Sequence, residues 1–190
     1  MSWYSPSRTM PVKTKTIELT TTEAAVLGLL SEGPRSGYDL RKAVESSVGY
    51  FWGPAKSQIY AVLPRLVEGG YARVRKVAQD QRPDKSVYRL TRAGRDALKR
   101  WIEETPAPPD PDRNPLLLKV FFGEVASQEV LVEHIRQRRF EAETLRTYLE
   151  DIEEDDLYAK LTIDWGLEYA GAVIRWAKHA ERELRARSRR

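Results

Sequence analysis

Apolar positions follow three different rhythms along the chain, and each rhythm predicts a different kind of element. The first is helical and comes in short blocks. After Leu19 a threonine cap, Glu23 and an apolar run start a helix whose buried face is Ala25, Val26, Leu29 and Leu30. Gly33-Pro34 stops it. Residues 36–47 predict a second helix, with Leu40 and Val44 inward and Arg41 and Lys42 outward. Gly49 to Pro54 is an aromatic turn whose Phe51 and Trp52 are expected to close a core. A third helix, Ser57 to Gly70, buries Ile59, Val62, Leu63 and Leu66 and ends on Gly69-Gly70.

The second rhythm starts at Tyr71. Ala72 and Val74 alternate with Arg73 and Arg75, residues 80–85 have turn composition, and residues 87–90 form the return strand. Thr91 then caps a fourth helix, Arg92 to Glu104, with Ala93, Leu98, Trp101 and Ile102 apolar. Residues 105–115 contain five prolines and predict a stiff extended connector.

The third rhythm is a heptad. Residues 116–123 form a short, very apolar helix. Leu131, Ile135, Arg138, Ala142, Leu145, Leu149 and Ile152 then recur at spacings of four and three. Ile163, Leu167, Ala170, Ile174, Ala177, Glu181 and Leu184 do the same in a helix from Thr162 to Arg187, about 40 Å long at 1.5 Å per residue. This helix has a second apolar side, Trp165, Tyr169, Val173 and Trp176. One side can pack within the subunit and the other against a second copy; an intramolecular hairpin alone is the plainer alternative.

The predicted fold is mostly α with a small β-hairpin. It has an arm (1–17), a winged helix-turn-helix domain (18–104), a proline-rich linker (105–115) and a long-helix dimerisation domain (116–190). The arm carries Lys13 and Lys15 and reads as a tail, a DNA-reaching arm or a partner contact.

Charge turns this architecture into a functional expectation. The chain carries +4, but residues 1–105 hold 18 Lys/Arg against 11 Asp/Glu, and residues 106–190 hold 14 against 17. A basic first half implies a polyanion partner. In the winged helix-turn-helix order the third helix enters the major groove of double-stranded DNA, and the wing sets cations beside phosphates. Ser57, Gln58 and Tyr60 on the polar side can bond base edges and phosphates, while Lys56 and Arg65 add charge. Base contacts are expected from Lys56 to Tyr60 and a phosphate contact from Arg65. Wing candidates are Arg75, Arg82 and Lys85, with Arg73, Lys76 and Arg89 nearby.

The other function classes lack support. There are no cysteines and two histidines, so no metal or redox site is expected. The acidic run Glu150 to Asp156 reads as a solvated turn. With no nucleophile-base pairing and no phosphate-cradling glycine loop, neither catalysis nor a cofactor is expected. The first residues lack the apolar core of a signal peptide and no run reaches the ~18 residues of a membrane span, so a cytoplasmic protein without a membrane partner is expected. A coiled-coil adaptor binding protein through the winged helix is the alternative, and the basic first half argues against it.

Four segments also resemble a known family. Residues 27–40 (LGLLSEGPRSGYDL), 51–54 (FWGP), 58–66 (QIYAVLPRL) and 88–94 (YRLTRAG) look like the PadR family of bacterial transcriptional regulators, over residues 20–104. Lys119 to Gly123, with residues 165–169 (WGLEY) and 174–176 (IRW), resembles the C-terminal domain of the virulence activator alpha subgroup. The resemblance implies a homodimeric regulator, usually a repressor, on a palindromic operator. It places Gly37-Tyr38 near the DNA and Gln58, Tyr60 and Arg65 on the recognition helix. It also implies, for some members, a small aromatic effector at the dimer interface, where Trp165, Tyr169 and Trp176 would either line a site or simply pack. Pro64 departs from the family's usual basic or small residue and would remove a helix hydrogen bond, with a kink expected there.

Overall fold

The structure, a computed structural model, describes residues 19–79, 82–106 and 114–187, with only the backbone of Gln79, Arg82 and Pro83. The arm and residues 107–113 of the linker lie outside the described residues. The described chain forms two compact units. One contains residues up to Ser46 and from Pro54 to Pro106; the other contains Ser47–Gly53 and the chain from Ala107 onward.

The first unit begins with α1 (Thr21–Ser31), capped reciprocally by Thr20 and Glu23. After a two-residue strand β1 (Arg35–Ser36) come α2 (Gly37–Ser46) and α3 (Lys56–Glu68). The wing is β2 (Ala72–Gln79) and β3 (Arg82–Leu90), and α4 (Arg92–Glu104) closes the unit. Helices α1 to α3 enclose Val26, Leu27, Leu40, Ile59, Leu63 and Leu66, all almost fully buried. The apolar face expected of α3 is the buried one. The face of α1 differs from the expected one: Ala24 and Leu27 are buried with Val26, Leu29 and Leu30, while Ala25 is only half-buried. Helix α4 buries Gly94 and Ala97, whereas Ala93 and Ile102 are exposed.

Pro64 does not interrupt α3, which runs unbroken to Glu68. The helix ends where expected: Gly70 has φ 72°, the left-handed exit glycine adopts without a Cβ clash, and Tyr71 N–H returns to Leu66 O at 2.8 Å. The sheet has order β1-β3-β2, antiparallel throughout. Strand β1 was not expected; two residues are too few to show alternation. The hairpin is longer than the alternating residues imply, since polar residues such as Lys76, Lys85 and Ser86 carry the ladder further.

The second unit contains α5 (Pro115–Phe121), α6 (Gln128–Glu150) and α7 (Leu157–Arg187). Helix α7 starts earlier than its heptads predict and is about 46 Å long. Leu131, Ile135, Ala142 and Leu149 of α6 are buried, as are Gly166, Ala170, Ile174 and Ala177 of α7. At the charged position of the seam two neighbouring arginines reach α7. Arg138 bonds Tyr169, and Arg139, not marked by the heptad, lies with Nε 2.8 Å from Glu181 and Nη1 3.1 Å from Glu143 on its own helix. Glu181 holds the Arg139 guanidinium above its ordinary pKa, with Glu143 adding to the effect.

The acidic run lies between α6 and α7 and is structural. Asp156 Oδ1 accepts from Ala159 N–H at 2.9 Å at the start of α7. The aromatic turn differs from expectation. Phe51 is 43% exposed and Trp52 half-buried, and their segment belongs to the helical unit, where Tyr50 lies against Gly166.

Candidate nucleic-acid interface

The polar side of α3 is assembled from its first two turns. Ala55 precedes the helix, and Gln58 Oε1 accepts from Ala55 N–H at 3.2 Å, so Gln58 caps the start of the helix. Lys56, Ser57 and Gln58 are exposed, and Tyr60 is 47% exposed one turn on. Unpaired N–H groups and the positive end of the helix dipole add to Lys56 here.

Tyr60 has a specific seat. A Cβ on Gly37 would lie 2.6 Å from Tyr60 Cε1, so only glycine at the start of α2 admits the ring in this position. Next to it Tyr38 is 51% exposed, with the Arg41 guanidinium and the Lys42 ammonium each 5.1 Å from its ring centroid. Tyr38, Asp39, Tyr60, Asp84, Lys85 and Tyr88 line an open cleft of about 670 Å³ between α2, α3 and the wing.

The wing itself is electrostatically unfinished. Arg73 on β2 pairs in register with Arg89 on β3, and both are exposed. Like charges directly opposite on a hairpin destabilise it. Arg75 extends the row on the same face, and Lys76 adds a cation on the other. Three acids of this unit hold cations away from the wing: Glu32 with Arg35, Glu45 with Arg41 at 2.9 Å, Glu103 with Lys99 at 3.8 Å. Arg82 pairs in register with Gln79, and its side chain is outside the described residues.

Two predicted contacts are engaged within the chain. Arg65 Nη2 is 3.0 Å from Glu23 Oε1 on α1. Lys85 Nζ is 2.9 Å from Asp39 Oδ2 on α2. Lys85, and then the Ser36 hydroxyl, hold the Asp39 carboxyl down at about 2. Glu23 was read from the sequence only as a cap, and Asp39 was not singled out. Ser36 and Asp39 do show capping-box spacing, so that half of the arrangement was open to the same rule.

In the helical unit Trp165 and Tyr169 stack at 5.5 Å with an interplanar angle of 5°. Arg138 Nη2 donates to Tyr169 Oη at 2.7 Å. Trp176 lies about 10 Å further along α7 and is not part of the stack. A cleft of about 590 Å³ in this unit lies elsewhere, against Phe121, Phe122, Leu131 and Leu184.

Comparison with known proteins bears on this arrangement. Residues 26–100 match the transcriptional regulator PadR-like family, and residues 113–185 match the virulence activator alpha C-terminal domain. The chain is 40% identical over 93 residues to the probable transcriptional regulator Rv1176c of Mycobacterium tuberculosis, covering 49% of each chain. It is 32% identical over 105 residues to the negative transcriptional regulator PadR of Bacillus subtilis, covering 55% of this chain and 58% of that one. The alignments thus span about half the length of these curated relatives. The fold is shared along nearly the whole chain. Bacillus subtilis PadR in complex with operator DNA superposes with a TM-score of 0.75 at 23% identity, over 87% of this chain and 99% of that one. The same protein in complex with p-coumaric acid gives 0.66 at 21% identity, over 87% and 98%. No helix among the described residues of this chain is long and apolar enough to cross a membrane.

Proposed function

We propose that this PadR-like chain is a sequence-specific DNA-binding transcriptional regulator, acting as a homodimeric repressor on an inverted-repeat operator. The observation that carries the reading is the wing, where Arg73 stands opposite Arg89 and no acid in register relieves them. A polyanion alongside would remove that repulsion. Ser57, Gln58 and Tyr60, with Tyr38 beside them, offer base-edge contacts; Lys56, Arg75 and Arg82 offer phosphate contacts. The operator complex of Bacillus subtilis PadR and that protein's description as a negative regulator support the repressor assignment.

Dimer formation is supported by the helical unit. Phe121 is 79% exposed and Val125 91%, with Phe122, Leu157, Tyr158 and Leu161 also uncovered. So many large apolar side chains call for a partner surface. Two copies would present two recognition helices ~34–36 Å apart, the spacing of successive major grooves. A small aromatic effector that releases DNA fits the exposed Trp165–Tyr169 stack, where Arg138 could pair a carboxylate; the p-coumaric acid complex of the Bacillus subtilis protein supports an effector of this class.

The test is selection of duplexes with purified protein, followed by titration across salt. An inverted repeat should emerge, with affinity falling about 10³-fold or more between 50 and 200 mM salt. No selected sequence and a flat salt response would reject the regulator reading. Effector binding is read separately, as loss of the selected duplex on adding phenolic acids; retention of the duplex across the series would reject the effector.

A further inference from the structure

Both scaffold helices of the winged-helix unit begin with the same device. At α1, Glu23 Oε2 accepts from Thr20 N–H and Thr20 Oγ, each at 2.9 Å, and Thr20 Oγ accepts from Glu23 N–H at 3.3 Å. At α2, Asp39 Oδ2 accepts from Ser36 N–H at 3.1 Å and Ser36 Oγ at 2.8 Å, and Ser36 Oγ accepts from Asp39 N–H at 3.2 Å. These are capping boxes, in which the acid three residues into the helix is fixed by the cap.

Here each fixed carboxylate does something more. Glu23 reaches Arg65 on the recognition helix at 3.0 Å, and Asp39 reaches Lys85 on the wing at 2.9 Å. A carboxylate already immobilised by its cap loses little further side-chain freedom when it holds a cation. The two contacts tie the two DNA-reading elements to the two scaffold helices, one each.

We propose that Glu23 and Asp39 are positioning residues, whose capping-box carboxylates hold Arg65 and Lys85 and so fix the recognition helix and the wing in their reading orientation. This rests on the regulator reading above and reassigns Arg65 and Lys85, which act through orientation and not by neutralising phosphate. The Glu23 side chain is only 4% exposed. Surrendering Arg65 to a phosphate would leave that buried charge without a cation, held only by its two bonds from Thr20, which is costly. The Asp39–Lys85 pair is more than a third exposed on both sides and holds more weakly.

The experiment uses the full chain, with affinities for the selected inverted repeat and for a random duplex measured across salt. Glu23→Gln and Asp39→Asn keep an acceptor for the cap but lose the charge, which separates helix capping from the ion pair. Each should lower the ratio of specific to random binding, Glu23→Gln by about tenfold and Asp39→Asn by less, with the salt slope unchanged. Arg65→Gln and Lys85→Gln should show the same signature. Each double variant, Glu23→Gln with Arg65→Gln and Asp39→Asn with Lys85→Gln, should be no worse than its cation variant alone. The proposal is overturned if Arg65→Gln and Lys85→Gln weaken both duplexes equally and each lowers the salt slope by about one, the mark of a phosphate contact. Should Glu23→Gln fail to fold, the two cation variants, altered at partly exposed side chains, still decide between these signatures. Wild-type protein without sequence preference would fail the regulator reading and this inference with it; wild-type preference that all four variants retain would fail the inference alone.

Discussion

The two units are incomplete in opposite ways. The winged-helix unit closes a core of Val26, Leu27, Leu40, Ile59, Leu63 and Leu66 within α1 to α3 but sets Arg73 against Arg89 on its wing. The helical unit pairs several of its arginines with acids one turn away and leaves a set of large apolar side chains uncovered. Arg136 is 2.6 Å from Glu133, Arg138 3.2 Å from Glu141 and Arg146 2.8 Å from Glu150, while Phe121, Val125 and Tyr158 face outward. The wing of one unit lacks an acid opposite its arginines, and one face of the other unit lacks apolar cover. Their missing partners are therefore different in kind, which matches a DNA contact for the first and a second copy for the second.

The comparison is broken most strongly at the apolar face. Phe121→Glu places a charge where a Phe is expected to be buried on dimerisation, and a two-fold interface contains the change twice. Losing about 1.5–3 kcal/mol per Phe predicts a dimer weakened by at least about 10²-fold. Sedimentation across protein concentration reads this directly. A dimer as tight as wild type would move the interface off α5.

Inside the helical unit, Glu181→Ala removes the main partner of Arg139. Glu181 is nearly buried and Arg139 about three-quarters so, which places the loss at about 2–3 kcal/mol, below the cost of breaking a fully buried pair. Urea unfolding measures it. Arg139→Leu with Glu181→Leu should recover most of the loss, because no charge is then stranded between α6 and α7.

The charged end of the seam shows what the sequence carries. The heptad marks Arg138, which reaches Tyr169 on α7, but not Arg139, whose pairing with Glu181 depends on a residue on the other helix. Where burial alone sets the pattern, as with Ile59, Val62, Leu63 and Leu66 of α3, periodicity identified every buried residue. Strand β1 escaped because pairing with Tyr88 and Val87 defines it, not its own two residues. In the candidate site, the exposed residues of α3 and the wing cations were legible from type and order. The engagement of Arg65 by Glu23 and of Lys85 by Asp39 was not, since each pair joins elements far apart in the chain.

A smaller change sharpens the DNA side. Gly37→Ala puts a methyl 2.6 Å from Tyr60 Cε1, at the free end of an exposed ring that can swing away. Stability should change by less than about 1 kcal/mol, while affinity for the selected duplex drops about tenfold through displacement of Tyr60. Thermal unfolding and duplex titration separate the two. Equal loss on random DNA would show that Tyr60 reads no base.

The smallest effect is the acid limb of stability at Asp39. Its carboxyl titrates at about 2 in the folded chain against an ordinary 3.8, because Lys85 and then Ser36 stabilise the charged form. Between those values the unfolded chain binds more protons than the folded one, so stability falls as pH is lowered. The contribution is complete above about pH 4 and disappears as pH drops through about 2. Exposure of both partners and salt screening limit it to on the order of 1 kcal/mol or less. Other carboxylates titrate over the same range, so the informative quantity is the stability of wild type minus that of Asp39→Asn. Urea unfolding at pH 5 should give a positive difference that shrinks toward pH 2.5, and shrinks at pH 5 as well when salt is raised. A difference independent of both would mean that Asp39 stabilises α2 through its cap alone, and that the wing is held by its strand pairing without Lys85.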